Sequence, residues 1–165
     1  MIDGTDYPMP VYLGYILNSY KAYDQFTNPV TDIFNEPYAT RISSLYNGLL
    51  TSDEINNQLT TSISDLVTAE FISGFSASSK FASVREALDN NSISAWHTYK
   101  HLMLIHGDKD SHVNPISTEN MYISMIQAGT SQDNIEKVII LDVDHTEGIV
   151  PAMIQGVLFL NNLTP

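Results

Sequence analysis

The chain has 165 residues, of which 43% are hydrophobic, and a formal net charge of -12 from 7 Lys and Arg against 19 Asp and Glu. This length is enough for one domain with its own hydrophobic core. Nucleic acid is excluded as an expected partner, because a phosphate backbone needs a basic surface and this chain is strongly acidic. The chain has no cysteine, which removes disulfides, thiolate zinc sites and cysteine nucleophiles.

The sequence shows no sign of membrane insertion or of export. No apolar run approaches the roughly 20 residues that a spanning helix needs, so we expect no membrane span. The start of the chain, Met1 to Asp6, has neither a basic region nor an apolar core and does not predict a secretion signal. The compartment stays open, and a secreted or periplasmic location is expected only of a longer protein with its own signal.

Helical periodicity dominates the chain up to residue 95. Aromatic and apolar side chains after Pro10 predict a first helix that reaches Tyr23. Thr51 stands three residues before Glu54, the spacing of a capping box, and begins a helical stretch that Thr60-Thr61-Ser62 divides. A further helix is predicted from Ser79 to Asn90 or Asn91.

Strand and helix patterns alternate in residues 96-165. The pattern predicts a strand at 102–105, a helix from Pro115 to Gly129, a strand at 138–143 and a helix at 147–160. Strands that alternate with helices form parallel crossovers, so the predicted fold class is α/β with two parallel strands.

Two side chains follow the ends of these strands and could cooperate in catalysis. Asp110 comes three residues after Gly107, and His145 comes two residues after Val143. Because functional groups collect at the carboxyl ends of parallel strands, we expect this carboxylate and this imidazole to meet. The acid would then hold one ring nitrogen while the other acts as a general base.

The segment from His106 to Pro115, HGDKDSHVNP, resembles the part of α/β-hydrolases that carries the triad acid. In that pattern the acid is the aspartate three residues after the glycine, which is Asp110 here. The helix, the strand and Asp144-His145 that follow are similar to the family's run to its catalytic histidine. The resemblance implies an incomplete α/β-hydrolase fold, with residues 1-95 as a helical cap or lid and residues 96-165 as the C-terminal hydrolase segment. The start of the cap is most similar to secreted bacterial lipases and esterases.

The chain departs from the family at the nucleophile. The family's G-x-S-x-G elbow should precede the acid and the histidine, and no such motif is present. The string Gly74-Phe75-Ser76-Ala77-Ser78 lacks the second glycine and follows a helical pattern. The resemblance therefore implies the C-terminal part of a serine esterase or lipase that is inactive alone, acts on an ester or lipid substrate when complete and needs no cofactor.

Three alternatives remain open. A peptidase of the same fold would use the same pair of residues. A non-catalytic binding or interaction module could have inherited the hydrolase shape and lost the serine. A second chain could also supply the serine by non-covalent complementation. Because two strands leave apolar sheet edges exposed, we expect a homo-oligomer or association with the missing N-terminal half.

Other candidate residues favour plainer interpretations. His106 is expected to pack and His112 to face solvent. His97 and His101 are four residues apart, but without a third ligand they do not predict a metal site. The spacing of Asp108, Asp110, His112, Asn114 and Glu119 resembles a calcium loop, yet Val113 stands where that loop needs glycine. The aromatic side chains of the first half fit either ordinary core or an acyl pocket (Tyr12, Tyr15, Tyr20, Tyr23 and Phe26).

Overall fold

The computed structural model describes residues 6–163 and divides the chain into two compact units, Met1–Ser92 and Ile93–Pro165. The first five residues, most of the segment that does not predict a secretion signal, lie outside the described part. None of the described helices is long and apolar enough to cross a membrane. The interpretation of residues 1–95 as a cap stays a prediction.

The first unit is helical and has its own core. Its helices are α1 (Pro10–Ala22), α2 (Tyr38–Leu45), α3 (Ser52–Asn56), α4 (Ile63–Leu66), α5 (Ala69–Gly74) and α6 (Ala82–Asn90). The main cluster of buried side chains is Leu17, Phe26, Ile33, Phe34, Ala39, Ile42, Ile63, Leu66, Val67, Phe71, Phe81, Val84 and Ala87. The predicted first and last helices of this half are confirmed as α1 and α6.

The helical stretch after Thr51 is shorter and more broken than its periodicity predicts. The predicted capping box is confirmed, because Thr51 and Glu54 exchange hydrogen bonds at the start of α3. A second break, which the sequence did not predict, falls at Val67, whose backbone is extended and bridges to Phe34. Thr68 then caps α5 by accepting the Phe71 N–H. Ile55 of α3 packs with Val11 and Leu45, whereas the buried residues of α4 and α5 belong to the main cluster.

The second unit has the predicted order of strand, helix, strand and helix. Its elements are β1 (Leu102–Gly107), α7 (Ile116–Gln127), β2 (Ile135–Ile140) and α8 (Ile149–Leu163). The two strands are parallel and pair in register from Leu102 with Ile135 to Gly107 with Ile140. Helix α7 packs against both strands. This parallel pairing aligns the ends of β1 and β2 at one edge of the sheet.

The second strand begins and ends three residues earlier than predicted. The sequence prediction of 138–143 was wrong because the apolar run continues past the last paired residue, Ile140. Leu141 is 71% exposed, and Asp142 has a positive φ of 62°, a left-handed conformation that turns the chain away from the strand. Val143, predicted as the end of a strand, therefore lies in the loop that leads to His145.

Much of the apolar surface of the second unit remains exposed. In its described part, Met125 and Ile135 are the buried apolar side chains, and the inner residues of both strands are only half-buried. Helix α8 packs against β1 but exposes apolar side chains over much of its remaining surface, and these include the predicted one-sided stripe of Ile149, Met153, Val157 and Leu160. An exposed apolar surface of this kind is ordinarily covered by another element or another polypeptide.

Candidate active site

The candidate site is built from the two loops that leave β1 and β2 at the same edge of the sheet. The Asp108 N–H donates to the Ile140 carbonyl at 3.0 Å, and the Lys109 N–H donates to the Val143 carbonyl at 3.1 Å. Gly107 allows this approach, since a Cβ there would lie 2.5 Å from the Val143 oxygen. These backbone contacts bring the loop that carries the acid beside the loop that carries the histidine.

Asp110 and His145, both singled out from the sequence, meet at this edge. The Nδ1 atom of His145 lies 2.8 Å from Oδ2 of Asp110. The Asp110 side chain is 7% exposed, whereas the His145 side chain is 43% exposed. The acid is therefore buried behind an imidazole that solvent or substrate can reach.

The other oxygen of Asp110 holds its own loop. Oδ1 accepts the backbone N–H groups of His112 at 2.9 Å and Val113 at 2.8 Å. Burial alone would raise the pKa of Asp110, but hydrogen bonds from Val113, His145 and His112 outweigh it and lower the pKa of this carboxyl. One ionised carboxylate thus shapes its own turn through Oδ1 and contacts His145 through Oδ2.

A second carboxylate ties the two loops together. Asp144 Oδ1 accepts the backbone N–H and the hydroxyl of Ser111, each at 3.1 Å, and also the backbone N–H of His145 at 2.5 Å. The backbone hydrogen bond from Ser111 is the largest of the effects that lower the pKa of Asp144. The residue directly before His145 therefore fixes the backbone from which the imidazole projects.

Two other histidines lie closer to this pair than their expected roles imply. His112 is half-buried, not solvent-facing, and its ring centroid lies 4.7 Å from that of His145. His106 does pack as expected, but its Nε2 also lies 3.2 Å from Oδ2 of Asp110. Both histidines flank Asp110 in the sequence, so their proximity to the pair was predictable. The directions of their side chains were not, because residue spacing in a loop does not determine them.

The other residues considered in the sequence have local surroundings of their own. Ser76 lies exposed in the turn after α5 and not on a strand-to-helix elbow. His97 packs edge-on against Tyr99 at 4.3 Å. Across residues 6–163, no group of three or more His, Asp or Glu side chains is arranged to hold a metal ion. The aromatic residues of the first half do not form one lining, because Phe26 is buried in the core and Tyr23 is 80% exposed.

The arrangement can orient and support a general base. With the His145 Nδ1 proton donated to Asp110, the lone pair of the neutral ring lies on Nε2. The ionised Asp110 would stabilise the positive charge that the ring gains when Nε2 takes a proton. The described residues can thus orient a general base, and the sequence contains no G-x-S-x-G motif.

Comparison with known proteins identifies the fold. No protein-family model and no curated protein matches the sequence. Among solved structures, a putative hydrolase from Legionella pneumophila matches with a TM-score of 0.80 at 22% identity over 94% of this chain and 41% of its own. The rice cell wall degrading esterase LipA from Xanthomonas oryzae matches with a TM-score of 0.67 at 18% identity, over 85% of this chain and 37% of its own.

These similarities show the fold of the chain. It has part of the α/β-hydrolase fold, with a helical unit followed by strand, helix, strand and helix. The chain spans about two-fifths of the length of the solved structures it matches. The resemblance that HGDKDSHVNP suggested is confirmed at the level of the fold.

Proposed function

We propose that this chain supplies the acid and the general base of a serine hydrolase that acts on carboxylic esters. The observation that carries the proposal is the 2.8 Å contact between Asp110 Oδ2 and His145 Nδ1 where two parallel strands end. The α/β-hydrolase fold and its likeness to the esterase LipA support an ester as the substrate class. The serine and the oxyanion donors come from polypeptide outside these 165 residues.

The proposed mechanism assigns one proton path to His145. Its Nε2 takes the proton of the serine hydroxyl as the serine oxygen attacks the ester carbonyl, and then gives that proton to the leaving alcohol. In the second half of the reaction Nε2 takes a proton from water, which attacks the acyl-enzyme, and returns it to the serine oxygen. Asp110 holds the ring and stabilises the imidazolium formed in each step.

The proposal also assigns roles to the two parts of the chain. Residues 1–95 act as the cap or lid over the acyl group, as the resemblance implies. In the second unit, the exposed apolar residues of α8 and the half-buried strand residues favour association with the strands that carry the serine, or with a second copy of the chain. Each association would remove apolar surface from water, which is favourable.

The decisive experiment uses the complete polypeptide that contains this chain. We expect it to hydrolyse short-chain p-nitrophenyl esters, and His145→Ala to lower kcat/KM by about 10³-fold or more because the variant lacks the Nε2 that takes the serine proton. His101→Ala is the matched control, since His101 is exposed at the opposite end of β1. Retention of activity in His145→Ala would overturn the assignment. A preference for aminoacyl amides over esters would identify a peptidase instead.

The rival function is a non-catalytic binding module of hydrolase shape. The observation in its favour is that G-x-S-x-G is absent from the whole sequence. It predicts no ester hydrolysis by the complete polypeptide, and none after mixing with any chain that brings a serine. Activity that arises only on mixing would favour complementation between two chains and exclude the binding module.

A further inference from the structure

His106 is held at both nitrogens of its ring. Its side chain is 10% exposed and stands at the end of β1. Nδ1 lies 2.7 Å from the hydroxyl of Thr118, which belongs to α7, and Nε2 lies 3.0 Å from the carbonyl oxygen of Val113. The ring thus connects the helix behind the sheet to the loop that carries Asp110.

The Val113 carbonyl decides which nitrogen carries the proton. A backbone carbonyl only accepts hydrogen bonds, so the proton that binds Val113 must sit on Nε2. In the neutral ring Nδ1 is then an acceptor, and the Thr118 hydroxyl donates to it. The tautomer of His106 is therefore fixed by groups that take no part in the proposed proton path.

The same Nε2–H end of His106 faces the acid. Nε2 lies 3.2 Å from Asp110 Oδ2, the oxygen that takes His145. Val113, whose carbonyl His106 binds, donates its own N–H to Asp110 Oδ1 at 2.8 Å. His106 therefore acts on one oxygen of the carboxylate directly and on the other through Val113.

We propose that His106 is a positioning residue that fixes the Asp110 carboxylate and, through it, the ring orientation and tautomer of His145. Its importance for catalysis rests on the proposed function. Its effect on His145 does not, because the contacts lie within one unit of this chain. Without the Nε2–H group, the Val113 carbonyl loses its donor, the turn at residues 111–113 loosens, and Oδ2 loses one of its two neighbouring nitrogen groups.

The test is imidazole ¹⁵N and low-field ¹H NMR of the 165-residue chain. The wild-type chain should show a proton on Nδ1 of His145 and a proton on Nε2 of His106. His106→Phe keeps a flat ring but has no N–H, and we expect loss of the low-field Nδ1–H signal of His145. His106→Gln can place an amide N–H near the position of Nε2, and we expect it to retain that signal.

Controls separate positioning from general damage to the fold. His101→Phe makes the same change at an exposed position and should leave the His145 signal intact. If His106→Phe fails to fold, Thr118→Val decides, because it removes the hydroxyl that holds Nδ1 of the His106 ring in place and should weaken the same signal. An unchanged His145 tautomer in folded His106→Phe, or its loss in His106→Gln, overturns the proposal. The measurement uses no substrate, so absence of esterase activity would leave the result standing.

Discussion

Asp110 shows how a buried carboxylate stays ionised. Its side chain is 7% exposed, and burial alone would favour the neutral acid. Two backbone N–H groups on Oδ1 and the imidazole on Oδ2 favour the charged form more strongly, and the pKa is lowered. A neutral acid would donate a proton where His145 donates one already, so ionisation is a condition of the proposed pairing.

The lowered pKa of Asp110 predicts a pH-dependent loss of stability. A carboxyl whose pKa is lower in the folded chain stabilises the fold above its unfolded pKa, about 4. This stabilisation disappears as the pH falls through the folded value. We expect Asp110→Asn to lower the free energy of unfolding by about 1–3 kcal/mol at neutral pH. Urea unfolding of both proteins should show the difference shrinking below pH of about 4.

The control for this prediction is Asp133→Asn. Asp133 is exposed near the opposite end of β2, and its replacement changes the net charge by the same amount. It should leave the free energy of unfolding nearly unchanged. An Asp110→Asn difference that stays constant from neutral to acid pH would contradict the linkage.

At the level of elements, the site depends on how closely the ends of β1 and β2 can approach. Gly107 is buried, and a Cβ there would meet both the carbonyl oxygen and a methyl group of Val143. Glycine is needed at position 107 because Val143, in the loop after β2, occupies the space of a side chain. This need for glycine is steric, since no positive φ is involved at Gly107.

Gly107→Ala should therefore separate the loops. We expect it to lower the free energy of unfolding by about 1–3 kcal/mol through overpacking. It should also weaken the contact between Asp110 and His145, read from the Nδ1–H signal of His145.

The matched control is Gly156→Ala in α8, where an added Cβ meets nothing within 4 Å. Alanine there should stabilise the helix by about 0.5–1 kcal/mol. Equal effects of the two variants would argue against the close approach.

The sequence was sufficient to predict the order of elements and the meeting of Asp110 with His145. Both follow from apolar runs that stop at strand ends, where parallel pairing aligns the loops. The end of β2 was not predictable, because the positive φ of Asp142 turns the chain while its neighbours remain apolar. The contact between His106 and Asp110 was missed because it depends on side-chain direction and on loop conformation.

At the level of the whole molecule, the second unit leaves apolar surface that two strands and two helices do not cover. Its buried apolar side chains in the described part are Met125 and Ile135, while α8 exposes many apolar groups on the surface that does not face β1. Each described strand has one neighbour, so each also has an unpaired edge. Association with another polypeptide would cover the apolar surface and pair the strand edges.

We therefore expect the chain to self-associate when nothing else covers α8. Light scattering should give a mass above one chain, and Val157→Glu should reduce it because the new charge would be buried in the contact. Val157 is 56% exposed, so the change should not disturb the fold of the chain itself. Gln155→Glu adds the same charge to an exposed polar position of α8 and should leave the mass unchanged.

Salt gives a second readout of this association. Copies with a net charge of -12 repel one another, and added salt screens that repulsion without weakening apolar contacts. Association should therefore strengthen as the salt concentration rises. A monomeric mass at every salt concentration would contradict the prediction.

The 2.8 Å pairing of Asp110 with His145 is held by contacts within the second unit. The pair is thus assembled before any serine is near it. In engineering terms the chain resembles one half of a split reporter. Ester turnover would then report its association with the polypeptide that carries the serine. The rate of such a device would follow the occupancy of the α8 face and the sheet edges, and the chemistry of the pair would stay constant.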